Sequence, residues 1–129
     1  MNIGSVMDEI GVRLATITGL RVFDFPPSSL VPPAAVVGWP TSIEFDSTAD
    51  RGSDEATFEV HVLVGMGNDR NARDKLAAYM AGSGSGSIKA AIEGGAVGDS
   101  CRVTGATVSV MTVGSQGFLA ATFAVHVTG

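Results

Sequence analysis

Two segments with alternating side chains restrict this chain to folds built on a long, half-buried β-sheet. Residues 59–64 read Glu-Val-His-Val-Leu-Val, and residues 119–127 read Leu-Ala-Ala-Thr-Phe-Ala-Val-His-Val. Successive side chains of a strand point to opposite faces, so each segment predicts one buried face. The residues predicted to be buried are Phe58, Val60, Val62 and Val64 in one strand and Leu119, Ala121, Phe123 and Val125 in the other. No catalytic constellation adjoins either strand, which favours a binding or assembly protein.

Short helices and turns separate further strands along the chain. We predict a helix over residues 5–18 with Ser5 as its N-cap, a second helix capped by Asn68 or Asp69, and a third capped by Ser87. The second helix presents Ala72, Leu76 and Tyr79/Met80 as its apolar stripe. Gly19, Gly82 and Gly94-Gly95 are expected to end the three helices.

The remaining strands are predicted from short apolar runs bounded by proline and glycine. They cover residues 20–25, 34–39 with a continuation at 43–46, 56–64, 102–113 and 118–127, with Gly114–Gly117 joining the last two as a hairpin. Pro40 either terminates its strand or places it near an edge. The predicted fold class is therefore α+β, with a mixed or antiparallel sheet of about five strands and two to three helices packed on one face.

Composition limits the classes of protein that this chain can join. Its 129 residues suit one domain, 1–129, and 45% hydrophobic content is ordinary for a globular protein. A net charge of −5 argues against a stand-alone nucleic-acid binder. Cys101 is the only cysteine, so no intrachain disulfide forms and a reducing compartment fits. We expect neither a signal peptide nor a membrane span, since the first residues lack a basic region and the apolar stretches are short.

The candidate reactive residues all have simpler structural interpretations. His61 and His126 lie on alternating strands without a third metal ligand or a nucleophile at a supporting spacing, so they are interpreted as ordinary strand histidines. Cys101 lies in no protease motif, and the nearby Asp99 is expected to raise rather than lower its pKa. The glycine-rich run 82–87 lacks the G-K-[ST] of a phosphate loop. We therefore predict no enzyme, no cofactor, and no catalytic or metal-binding residue.

Two surface features could contact a partner. The loop over residues 47–54 and its flanks are polar, and we predict a partner interface there, formed by Asp46, Asp50, Arg51, Asp54 and Glu55. Trp39, the only tryptophan, is either a binding anchor or a residue that packs a sheet edge against a helix. Packing is the favoured interpretation.

The order of elements carries a resemblance that spans nearly the whole chain. The matching segments are the opening helix Val6–Leu14, the strand Leu20–Phe23, the proline-led Val31–Pro40, the strand Thr57–Val64, the helix around Ala72–Leu76, the segment Ser87–Glu93, and the closing hairpin. This organisation resembles the small tail-terminator and tail-completion proteins of long-tailed, siphovirus-like bacteriophages.

The resemblance implies a structural virion protein. Such proteins form a homo-oligomeric, typically hexameric ring at the head-proximal end of the tail tube, where they stop tube growth and offer the surface that joins the head. The implied partners are the tail tube protein and a head–tail connector protein, with genomic DNA passing through the ring without specific binding. The implied location is the virion, after assembly in the host cytoplasm. The alternatives are a stopper or adaptor of the same connector and, in another class, a small cytoplasmic ligand-binding module.

Overall fold

Two helices begin at a polar side chain, Asn2 or Ser87, that accepts a hydrogen bond from a free N–H group of the first turn. The computed structural model describes residues 1–23, 28, 31–47, 52–65 and 70–129. In these ranges the helices are α1 (Ile3–Leu14), α2 (Arg70–Tyr79) and α3 (Ile88–Glu93). None of these helices has the length and apolar content to cross a bilayer.

The first helix begins and ends earlier than predicted. Its N-cap is Asn2, whose side chain accepts a hydrogen bond from the Ser5 N–H at 3.0 Å, so the prediction of Ser5 as the cap is wrong. After Leu14 the chain tightens, because the amides of Thr16 and Ile17 bond to carbonyls three residues back. Ile17 is still buried, which explains why the apolar pattern continued past the helix end.

The other two helices agree better with the sequence. Ser87 caps α3 as predicted, with its Oγ accepting from the Ala90 N–H at 3.1 Å. The predicted stripe of α2 is buried at Ala72, Leu76 and Tyr79. The predicted caps of α2, Asn68 and Asp69, lie outside the described residues.

The strands are β1 (Arg21–Phe23), β2 (Ala34–Glu44), β3 (Glu55–Gly65), β4 (Ser100–Val113) and β5 (Gln116–Thr128). They form one mixed sheet in the order β1-β2-β3-β5-β4. The β1–β2 pair is parallel, and each other neighbouring pair is antiparallel. The α+β prediction is confirmed.

Pro40 does not terminate β2. The strand continues to Glu44 through two register shifts, one between Val37 and Pro40 and one between Pro40 and Ser42. Bulges of this kind admit a residue that lacks an N–H, so the segments predicted as 34–39 and 43–46 form one strand. Pro40 does lie near an edge, since β1 pairs with β2 only over Ala34–Val36.

The hairpin between β4 and β5 is tighter than predicted. Its turn is Gly114-Ser115, and Gln116 and Gly117 already belong to β5. Gly114 has a φ of +64°, which is the conformation that a type II′ turn requires at its first central position.

The main core lies between the three helices and one face of the sheet. We call this the covered face and the opposite one the open face. The predicted strand residues Phe58, Val60, Val62, Phe123 and Val125 are buried on the covered face against residues such as Ile10, Leu14, Leu76, Ile88 and Ile92. The open face carries only a small buried cluster: Val36, Leu63, Phe118 and Ala120.

Candidate functional site

The open face displays three carboxylates from the inner strands β2 and β3. Glu44 and Glu55 lie directly opposite each other on β2 and β3, and Glu59 follows on the same face of β3. Like charges at directly opposed positions destabilise a sheet by a few tenths of a kcal/mol to about 1 kcal/mol. The fold therefore tolerates an acidic row here that folding alone does not favour.

Two histidines adjoin this acidic row. The His61 Nδ1 lies 2.9 Å from Thr122 Oγ1, and its Nε2 lies 3.6 Å from Glu59 Oε2. Burial lowers the pKa of His61, and the nearby Glu59 only partly opposes that shift. The ring is therefore neutral near pH 7, and its contact with Glu59 is not a full ion pair.

The two histidines do not come together. His61 pairs with Thr122, whereas His126 pairs with Thr57 four residues further along the strands. His126 instead has its Nε2 3.8 Å from Glu55 Oε2. Within the described ranges, no group of three His, Cys, Asp or Glu side chains is placed to hold a metal ion.

Cys101 is half-buried on β4. Burial, followed by the negative charge of Glu93, raises the pKa of its thiol to about 11. The carboxylate that acts on it is thus Glu93 rather than Asp99, which the sequence had indicated. Since the thiolate is the reactive form, this thiol is a poor nucleophile near neutral pH.

The predicted partner interface is only partly described. Asp50 and Arg51 lie outside the described residues, whereas Asp46, Asp54 and Glu55 lie together at the end of the β2–β3 hairpin. Asp46 is exposed, with a φ of +51°. Contact of these residues with a partner stays a prediction.

Asp54 has a structural role in this group. Its Oδ1 accepts from the Asp46 N–H at 3.1 Å, and its Oδ2 lies 3.2 Å from the Met1 ammonium. Its backbone also exchanges two hydrogen bonds with Gly129, at 2.8 and 2.9 Å. The bond from the Asp46 amide, then the one from the Met1 ammonium, lower the pKa of Asp54.

Trp39 does not pack against a helix. It lies in the first bulge of β2 and is 70% exposed, so the favoured packing interpretation is wrong. Phe45, just after the strand, is 72% exposed. Exposed aromatic side chains of this kind are frequent anchors of protein interfaces.

Sequence reasoning missed a second apolar surface on the outermost strand. Val108 and Val110 of β4 are on the covered face by register, yet they are 48% and 68% exposed. The signal was present in the sequence, because Val103–Val113 contains no charged residue.

The open face also has a groove near the β4–β5 turn. It has a volume of about 410 Å³ and is lined by Val36, His61, Leu63, Met111 and Val113, among others. Its size falls at the lower end of the range for small-molecule sites.

Comparison with known proteins gives no family. Neither a protein-family model nor a curated protein matches this chain. The tail-terminator resemblance therefore stays a prediction, and a functional proposal depends on the geometry described above.

Proposed function

We propose that this protein is a structural virion subunit that forms a ring on the head-proximal end of a phage tail tube, where it stops tube growth and provides the head-joining surface. The observation that carries the proposal is the one-sided sheet. All three helices cover one face, and the other face displays Glu44, Glu55 and Glu59. Such a face suits the lining of a channel through which DNA moves.

The argument for a DNA channel is electrostatic. Double-stranded DNA carries one negative charge per roughly 1.7 Å of its axis, and proteins that hold it neutralise phosphates with Lys and Arg. In the described strands, the register places two permanent cations on the open face, Arg21 of β1 and Arg102 of β4. Against three carboxylates on the inner strands β2 and β3, these two arginines on the outer strands leave an excess of one negative charge, located on the inner strands. DNA facing this surface would be repelled at short range and would slide without being held.

Loss of the protein tests this function. A phage that lacks it should make tails of uncontrolled length, or tails that cannot join heads, in electron micrographs. The purified protein should form rings, typically of six subunits, alone or on tail tubes. Mutant tails of normal length that join heads and fail only at infection or lysis would contradict the proposal.

Charge substitutions test the open face separately. The double variant E55K/E59K should assemble but slow DNA passage, measured as DNA ejection from purified particles. The matched control is D74K/D99K, which makes the same charge change at exposed positions away from the open face. Equal ejection rates for both variants would place the channel lining elsewhere.

The alternatives are distinguished by position and by ligand. A stopper or adaptor would be located beside the head by immunogold labelling, with tail length still controlled in its absence. The groove beside Met111 favours a ligand-binding module as a second candidate. That function would be shown by saturable binding of a small apolar dye, weakened by M111D, in a protein that forms no ring.

A further inference from the structure

We propose that β4 of one copy pairs with β1 of a second copy, so that the sheets continue head to tail around the ring. The inference rests on the proposed function, because it names the contact by which that ring closes. β1 and β4 are the two outermost strands of the sheet. They run in opposite directions, since β1 is parallel to β2 and each following neighbour is antiparallel. A copy rotated about an axis along the strands therefore brings β4 and β1 together as an antiparallel pair.

The outer edge of β4 lacks the features that usually prevent an edge strand from pairing with another chain. It is 14 residues long, and its outer edge has no partner strand among the described residues. Proteins usually protect such edges with charges, prolines or strong irregularities. Val103–Val113 has no charge and no proline, and its one irregularity is the register shift between Val103 and Gly105.

The hydrophobic side chains at the two edges match in position. Following the register across the sheet, Val108 lies level with Ala121, Val62, Ala35 and finally Val22 of β1. All of these positions lie on the covered face. If a second copy continues the sheet without slip, Val108 meets Val22 of that copy.

A depression beside β1 can receive these valines. It lies between α1 and β1, has a volume of about 440 Å³, and is lined by Gly11, Val12, Ala15, Val22 and, at its rim, Asp8. Val12 is 68% exposed there, the same fraction as Val110 on the opposite edge. Each edge thus exposes apolar surface that the other can cover.

Charges at the far end of the seam are complementary. Arg102 belongs to the row Ser42–Thr57–His126–Arg102, and Glu44 belongs to the next row, Glu44–Glu55–Thr128–Ser100. Both residues are exposed: Arg102 is at the β4 edge, and Glu44 is at the end of β2, beyond the Ala34–Val36 segment that pairs with β1. Continuing the sheet brings Arg102 diagonally toward Glu44 of the next copy. Two copies that each carry a net charge of −5 repel each other overall. The repulsion is smallest at β4, which is uncharged over Val103–Val113 and has the cation Arg102 near its start.

A second copy fits this edge better than an isolated peptide strand would. The depression and Glu44 belong to one folded edge, which a peptide does not supply. Symmetric β4–β4 pairing would also leave the depression uncovered and would close a dimer instead of a ring. One strand pair with two valines is smaller than a standard interface, so a single contact is weak and ring closure stabilises it.

Cross-linking of exposed positions tests the seam directly. In a C101S background, V12C and V110C are made separately, mixed at the highest soluble concentration, and treated with a flexible bis-maleimide. The mixture should give a cross-linked dimer, while each variant alone should give almost none. The control mixture of V110C with F45C should not react, because Phe45 is equally exposed but lies beyond the opposite end of β2.

The outcomes separate the seam from the function. Cross-linking of V110C alone would mean symmetric β4 pairing, and no cross-link in any mixture would also overturn the inference. If micrographs show rings but the V12C–V110C product does not form, the proposed ring stands and the β4–β1 contact is rejected. If the V12C–V110C product forms but a phage lacking the protein makes normal tails, the β4–β1 contact stands and the proposed function in the tail is rejected.

A charge swap gives a second, independent readout. R102E and E44R should each weaken self-association about fivefold per contact, measured by sedimentation velocity. The double variant R102E/E44R restores the attraction across the seam and should return to within about twofold of wild type. If the double variant associates as weakly as the single variants do, the pairing of these two edges is rejected.

Discussion

The covered face and the open face of the sheet differ in how their side chains are satisfied. On the covered face, alternate residues of β3 and β5 are fully buried against three helices. On the open face, the buried cluster has four residues, and the rest of the face displays carboxylates, hydroxyls and two half-exposed histidines. The difference shows that one face provides most of the stability, which leaves the other free to carry charge that folding does not need.

The largest effect should come from the centre of the covered face. Phe123→Ala should lower the free energy of unfolding by about 3–5 kcal/mol, because a buried ring is removed from a packed core. Denaturant melts measure this. V110A is the control on the same side of the sheet, and we expect a change of no more than about 0.5 kcal/mol there. A loss below about 1 kcal/mol for Phe123→Ala would mean that the strand faces are reversed.

A smaller effect is expected for the open-face cluster. Leu63→Ala removes a buried side chain that packs with Val36, Phe118 and Ala120. We expect a loss of about 2–3 kcal/mol, at the low end for such substitutions, because a small cluster near solvent can close around the cavity. The same melts measure it. A loss equal to that of Phe123→Ala would show that the open face is as tightly packed as the covered face.

A buried hydroxyl, that of Ser87, connects the start of α3 to the segment that follows α2. Ser87 Oγ accepts from the Ala90 N–H and donates to the Ala81 carbonyl at 2.5 Å. Ser87→Ala should therefore cost about 1–2 kcal/mol of unfolding free energy, through the lost cap and a carbonyl left without its donor. S85A, at an exposed position nearby, should change little. Equal melts for the two variants would mean that the cap does not hold the cover in place.

The stability that Asp54 contributes at the end of the β2–β3 hairpin should depend on pH. The folded state lowers the pKa of Asp54, so its ionised form is favoured in the fold. That contribution is present above the unfolded pKa of about 3.9 and is lost as pH falls through the lower folded value. The melting temperatures of wild type and D54N should therefore differ most above about pH 4 and converge in acid. A constant difference across the range would contradict the ionic contacts.

The smallest effect should come from the titratable residues of the open face and edge. The triple variant H61Q/H126Q/C101S should unfold within about 1 kcal/mol of wild type and retain assembly. Micrographs of the variant protein measure the second point. Lost function in a variant that still folds would restore a reactive site to these residues.

The sequence predicted the covered face well because burial imposes a period on the side chains. Phe58, Val60 and Phe123 lie where the alternation placed them, since a shift of one residue would expose every one of them. The α2 stripe and the Ser87 cap are confirmed for the same reason, as both depend on local spacing.

The candidate surfaces could not be predicted in the same way. Trp39 is exposed because two successive bulges re-aim β2, and bulges leave no periodic signal in the sequence. Val108 and Val110 alternate as buried residues do, but α3 contacts this outer strand at its start, where Glu93 accepts from the Val103 N–H, and Val108 and Val110 further along stay exposed. Strand order, which decides what is an edge, depends on long-range pairing rather than on local pattern.

The raised pKa of Cys101 affects how the protein withstands oxidation. Oxidants and disulfide exchange act on the thiolate, and a thiol with a pKa of about 11 contains little of it near neutral pH. As the only cysteine, it also has no partner within the chain. The protein should therefore persist in air without reductant, without covalent dimers and with the Cys101 thiol unmodified.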